Sequence, residues 1–211
     1  MKNTLLAGLL AAATFAAHAG PLESLEGFIR HARSGKADFT QTVTGPARDG
    51  QAGRSKTSSG TFEFQRPNKF RFVYAKPFEQ TIVADGQTLW MYDVGLNQVT
   101  SRQQAQVLGT TPAALIAAAP DLETIKRDFD LQALPDQGGL QWVQATPKQK
   151  EGQLTSMKVG FRGEQLAVLE ILDGFGQRST LTFTGMQLNA GVSPDAFRFQ
   201  PPQGADVVRA P

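Results

Sequence analysis

The chain has 211 residues, of which 40% are hydrophobic and 19% charged, and its formal charge at neutral pH is +2. This composition excludes a disordered chain, and so small a charge excludes a dedicated nucleic-acid binder. There is no cysteine and there are two histidines, which removes disulfides, thiolate metal sites and lipid-modified cysteines and leaves little for histidine chemistry.

Lys2 precedes an apolar run from Leu5 to Phe15, and Ala17-His18-Ala19 fits the small-x-small cleavage rule. Residues 1–19 are expected to be a secretory signal removed before Gly20, leaving a single domain over 20–211. The apolar run is shorter than the roughly 20 residues a membrane span needs. An exported, soluble chain without cysteine suits the periplasm of a Gram-negative bacterium.

Leu22, Leu25, Phe28, Ile29 and Ala32 recur at helical spacing, so 21–34 is predicted as an amphipathic helix ended by Gly35. The period then becomes two. Residues 37–43 read as a strand, and the Gly/Ser/Arg/Lys-rich stretch 45–60 as a loop. Gly60, Phe62, Phe64 and Arg66 share one strand face, and Phe70, Phe72 and Tyr74 share a face of the next. Residues 78–84 and 88–93 form a hairpin around Asp85-Gly86, followed by a turn into 98–101. Thr111-Pro112 then opens a short, almost wholly apolar helix from Ala113 to Ala119. Strands are expected again at 125–133, 140–146, 154–162, 165–172 and 177–188. Ser193-Pro194 opens a helical turn, and Phe197-Arg198-Phe199 reads as a last short strand. Ten or eleven short antiparallel strands with two or three helices make one large curved sheet, its helices packed on one face as a lid.

Catalytic signatures are missing: there is no G-x-S-x-G, H-E-x-x-H or P-loop. His31 reads as a solvated helix residue. Asp128 and Asp130, at strand spacing, read as a water-facing pair. Lys69 and Arg71 lie opposite the Phe face, which argues against a nucleic-acid stacking platform. Arg66 is the exception, because strand periodicity sets a guanidinium among aromatic rings. Either it curls to solvent at the strand end beside Pro67, or it is a polar latch whose five donors hold lid carbonyls. Phe62, Phe64, Phe70, Phe72, Tyr74, Trp90 and Tyr92 form either an ordinary core or a pocket lining. The Ala-rich helix brings too little volume to fill such a face, which favours a cavity or a movable cover.

The run Ser59-Gly-Thr-Phe-Glu-Phe-Gln-Arg66-Pro67-Asn68-Lys-Phe70 resembles the LolA family of outer-membrane lipoprotein carriers. So do Phe39-Thr-Gln41, Ile82-Val-Ala-Asp85-Gly86-Gln-Thr-Leu89-Trp90-Met-Tyr92, Thr111-Pro112-Ala-Ala-Leu115-Ile116-Ala117 and Phe197-Arg-Phe199-Gln-Pro201-Pro202-Gln-Gly204. The resemblance implies a mainly β fold: an unclosed antiparallel barrel of about 11 strands whose hydrophobic cavity is covered by short helices. It implies a non-enzymatic, cofactor-free role in which the cavity shields the acyl chains of lipoproteins. Donor and receptor would be the inner-membrane ABC transporter LolCDE and the outer-membrane receptor LolB, with no nucleic acid involved and a monomeric state. LolB itself carries an N-terminal cysteine, which this chain lacks. The resemblance makes Arg66 the latch and Ile116 and Ala117 its lid carbonyls. The implied acyl-chain cavity comprises Phe62, Phe64, Phe70, Phe72, Tyr74, Trp90 and Leu115. A carrier or sensor of another lipid or glycolipid on the same fold is the alternative.

Overall fold

The first helix forms where the apolar spacing places it. In the computed structural model, which describes residues 20–47, 50–107, 119–149 and 154–210, α1 spans Pro21–His31 with proline in its first turn. Leu25, Phe28 and Ile29 make its buried stripe. It stops short of residue 34 because Ala32 leaves helical geometry and β1 (Ser34–Thr44) begins at once.

The chain then runs through β2 (Ser55–Gln65), β3 (Lys69–Lys76), β4 (Gln80–Asp85), β5 (Thr88–Asp93) and β6 (Gln98–Gln103). The short helix α2 (Gln104–Val107) and α3 (Leu122–Asp128) lead to β7 (Phe129–Gln137), β8 (Leu140–Pro147), β9 (Leu154–Arg162), β10 (Gln165–Asp173) and β11 (Arg178–Leu188). A 3-10 turn at Pro194–Phe197 and β12 (Asp206–Arg209) finish it. The twelve strands form one sheet in the order β12-β6-β5-β4-β3-β2-β1-β11-β10-β9-β8-β7, which is unclosed and has β12 and β7 as its edges. Neighbours are antiparallel except β12, which runs parallel to β6.

Four expectations change. β2 begins at Ser55, inside the predicted loop, because Thr44 and Ser55 are registered partners whose hydroxyls meet at 2.8 Å. The predicted strand 125–133 starts as helix, since the Asp121 carboxylate caps the Thr124 N–H and Ile125 is buried beneath α3. Asp128 therefore ends a helix and does not share a strand face with Asp130; both side chains are exposed. Phe197-Arg198-Phe199 is not a strand: Phe197 closes the 3-10 turn, and the final strand is β12, four residues tied to β6. The apolar helix expected after Pro112 lies, but for Ala119, outside the described residues.

All antiparallel turns fall at two ends. α1, the β2–β3 turn and the β4–β5 turn lie at one end. The β1–β2 loop and the turns after β3, β5 and β10 lie at the other, where Thr44 pairs with both Ser55 and Arg178. Gly60 sits mid-sheet between Phe39 on β1 and Tyr74 on β3. With no side chain between them, those rings meet edge-on at 5.0 Å. A Cβ on Gly60 would fall 1.9 Å from the Val73 carbonyl oxygen, so only backbone movement could admit it. Gly60→Ala is expected to cost about 1–3 kcal/mol. That lowers the thermal midpoint by roughly 3–10 °C, readable by differential scanning calorimetry.

Candidate functional site

Directly opposed residues of antiparallel strands share a face, so the register maps the concave surface row by row. Phe64, Phe70, Ala84 and Leu89 form the row nearest α1. Ala37, Phe62, Phe72, Ile82 and Met91 form the next. Phe183, Phe39, Gly60, Tyr74 and Gln80 follow. Beyond β11 the surface continues through Leu181, Leu169, Val159 and Val143. This is a single apolar floor, and α1 covers its near end by setting Phe28 against Phe64 at 6.0 Å and Phe161 at 5.7 Å.

The predicted rings gather on this floor. Phe62, Phe64, Phe70 and Phe72 are buried and Tyr74 is half-buried. Phe62 lies 4.5 Å from Phe72 and 5.4 Å from Phe183 between centroids, and Phe70 lies 6.1 Å from Phe72. Farther out, Ile82, Met91 and Ile171 are only partly buried.

Trp90 does not join them. It pairs with Val83 and Ser101 on the convex face and stacks on Phe199 at 5.5 Å, with Tyr92 at 6.3 Å from the same ring. The Asp85–Thr88 turn fixes the register so that Leu89 and Met91 point inward and Trp90 outward. A second small core exists there, built on Val83, Val99 and Phe197 beneath the C-terminal segment. Arg71, on that same face, donates to the Ala196 carbonyl at 3.2 Å.

Arg66 does not curl to solvent. It is 9% exposed and lies over the rings of Phe28 at 5.3 Å and Phe64 at 5.6 Å. Its Nε donates to the Ala32 carbonyl at 2.8 Å and its Nη1 to the Ala119 carbonyl at 2.5 Å. Its backbone N–H is tied to the Arg33 carbonyl. Burial, reinforced by the nearby Arg33 charge, lowers its pKa to about 10, so it stays cationic at neutral pH. The guanidinium thus joins the end of α1 to Ala119, just ahead of α3. Ile116, Ala117 and Leu115 lie outside the described residues.

Sequence reading misses Gln104, which is 1% exposed. Its Nε2 donates to the Asn68 carbonyl at 2.6 Å, and its Oε1 accepts from the Gly86 N–H at 2.9 Å. It therefore ties the turn beside Arg66 to the β4–β5 turn where the chain leaves β6. Gln104, just after β6, and Ala119, just ahead of α3, are thus both fastened at the Arg66 end of the floor. No spacing motif marks such a residue, because all its partners are distant backbone atoms.

His31 is exposed and faces Glu164 at 3.2 Å on the surface, away from the floor. Among the described residues no group of three or more His, Asp or Glu could hold a metal ion, and no helix is long and apolar enough to cross a membrane.

Residues 30–200 match the family model described as outer membrane lipoprotein carrier protein LolA. A protein of Albidiferax ferrireducens named outer-membrane lipoprotein carrier protein is 64% identical over 197 residues, covering 92% of each chain. One of the same name from Methylibium petroleiphilum is 55% identical over 199 residues, covering 94% of each. Among solved structures, an uncharacterized conserved protein from Thermus thermophilus shares the fold with a TM-score of 0.52 at 13% identity, over 90% of this chain and 97% of that one.

Proposed function

Because the chain belongs to the LolA family of outer membrane lipoprotein carrier proteins, carriers and not enzymes, we propose that it shuttles acylated lipoproteins across the periplasm. It accepts them from the inner-membrane ABC transporter LolCDE and hands them to the receptor LolB. Residues 1–19 are its signal peptide, and 20–211 act as one monomeric carrier domain without a cofactor.

The observation that carries this reading is the apolar floor ending at a buried arginine that grips the carbonyl of Ala119, just ahead of α3. Each methylene moved from water to an apolar surface gains about 0.8 kcal/mol. An acyl chain therefore needs shelter in water, and a shuttle needs shelter it can leave. In the empty state Arg66 holds the cover through Ala119, and the Ile116 and Ala117 carbonyls belong to the same latch. The rings of Phe62, Phe64, Phe70, Phe72 and Tyr74, with Leu115 from the cover, meet the incoming chains. Loading parts the latch, and its re-formation offsets the cost of releasing cargo, which keeps transfer to the receptor downhill. Purifying the chain from periplasm and identifying bound species by mass spectrometry tests the reading. Acylated N-terminal peptides are expected, whereas a bound free lipid or glycolipid would replace lipoprotein as the cargo.

The end opposite α1 supports a handover face. Phe78 is 82% exposed, Phe175 74% and Leu96 72%, each on a turn at that end. Large apolar side chains left in water at one end of the sheet are what a contact with a partner would cover. The double variant Phe78→Ser, Phe175→Ser is expected to bind cargo normally and keep its thermal midpoint, yet transfer cargo to the receptor several-fold more slowly in a reconstituted assay. Unchanged transfer would move handover to another face.

A further inference from the structure

The concave floor is not uniformly apolar. Along β3 it runs from Phe70 through Phe72 to Tyr74, and from Tyr74 outward it turns polar across β1 to β5, while the Gln41 row stays apolar from β11 on, through Leu181 and Leu169. Tyr74 pairs with Gln80, and Gln80 with Asp93. One row farther out, Gln41 pairs with Ser58, and the Gln41 amide donates to the Ser179 hydroxyl at 2.7 Å. Gln41, Ser58, Tyr74, Gln80 and Asp93 are all only partly buried. They form a polar band on the same face as the phenylalanines, about 14 Å from the Phe70 row at 3.4 Å per residue.

Tyr74 is the fixed point of the band. Its ring is held edge-on by Phe39 at 5.0 Å and stacked on Phe72 at 6.4 Å. Burial raises its pKa to about 12, so the hydroxyl keeps its proton. Among the described residues nothing accepts a hydrogen bond from that hydroxyl. A phenol whose ring is held rigidly by two aromatic neighbours and whose hydroxyl reaches solvent at the edge of an apolar floor is placed to meet a ligand acceptor. The band also has a definite charge character. Asp93, whose Oδ1 accepts from the Leu96 N–H at 3.0 Å, is its one acidic residue. Lys56 on β2 lies beyond Ser58 toward the loop, and the irregularity at Ser59–Gly60 pairs Lys76 with Ser59, out of step with the floor residues. This lining suits a neutral head of ester carbonyls and disfavours a phosphate.

We propose that this band is a head-group subsite that binds the ester-linked glyceryl moiety of the acylated cargo, the Tyr74 hydroxyl donating to an ester carbonyl while the acyl chains run over Phe72 and Phe70 toward Arg66. The subsite rests on the carrier reading and deepens it: the apolar floor supplies affinity for any long chain, and the band distinguishes a glyceryl ester from other amphiphiles. One hydrogen bond between neutral groups sets the expected size, roughly three- to tenfold in affinity.

The test uses the full mature chain and two synthetic ligands of equal chain length, a diacylglyceryl-cysteine peptide and its ether-linked dialkyl analogue, which lacks the ester carbonyls. Wild type is expected to bind the ester three- to tenfold more tightly. Tyr74→Phe preserves both ring contacts and is expected to bind the two ligands equally, at the wild-type affinity for the ether, with an unchanged thermal midpoint. If wild type does not discriminate, or Tyr74→Phe discriminates as well as wild type, the subsite is wrong while the carrier reading stands. If wild type binds neither ligand, the carrier reading itself falls.

Discussion

Arg66→Leu is expected to take up lipoprotein as well as wild type and to release it to the receptor at least tenfold more slowly. The leucine keeps an apolar contact with Phe28 and Phe64, so the floor stays intact for acyl chains. What disappears is the pair of charge-assisted bonds to the Ala32 and Ala119 carbonyls. Bonds to a charged group contribute about 1.5–3 kcal/mol each. Desolvation of the buried guanidinium, visible in its lowered pKa, offsets part of that gain. A net loss of about 1.4 kcal/mol from the empty, latched state is enough for a tenfold change. Because the loss falls on the empty state alone, the loaded state becomes the relatively stable one. Arg66→Lys keeps the charge but not the planar fork that spans two carbonyls, so an intermediate release rate is expected. The check is stepwise transfer with radiolabelled lipoprotein, loading and release scored separately. A variant that loads and releases like wild type removes the latch from the mechanism. One that fails to load assigns Arg66 to the floor's integrity instead.

Arg66 is legible in the sequence because strand alternation is rigid: two residues on from Phe64 and four from Phe62, it has to share their face. The same rule fails at Trp90, three strands away on β5. Alternation says that Leu89, Trp90 and Met91 switch faces, but only the hairpin register decides which of them points inward. Aromatic character gives no help, since the C-terminal segment builds a second apolar cluster on the convex side, and Phe199 covers Trp90 there. The hydrogen-bond partners of Arg66 are harder still. A backbone carbonyl such as that of Ala32 or Ala119 has no side-chain signature, and its role depends on where the chain folds back. Gln104 and β12 escape for a related reason, as each is defined by partners distant in sequence. α3 passes for a strand because an Ile125-to-Phe129 apolar spacing suits either period, and the deciding cap is the single carboxylate of Asp121.

The second large effect concerns the floor itself. Phe70→Glu is expected to abolish cargo uptake. Phe70 is 1% exposed, pairs with Phe64 on β2 and lies 6.1 Å from Phe72. A carboxylate placed there meets no donor among those rings, and leaving a polar group unpaired in such surroundings costs several kcal/mol. Arg66 lies close by, over the ring of Phe64, the residue paired with Phe70. Two consequences follow with the same sign. If the carboxylate stays in place, it breaks the apolar path the acyl chains need. If it captures the guanidinium, it draws Arg66 from the Ala119 carbonyl and frees the cover. Phe70→Leu separates chemistry from shape: it preserves an apolar surface while losing ring contacts, so uptake is expected to persist with a thermal midpoint lower by a few degrees. Circular dichroism on both variants ensures that loss of uptake is scored on folded protein. Normal uptake by folded Phe70→Glu would mean that the acyl chains never reach the Phe64–Phe70 row and that the cargo path ends at the Phe72 row.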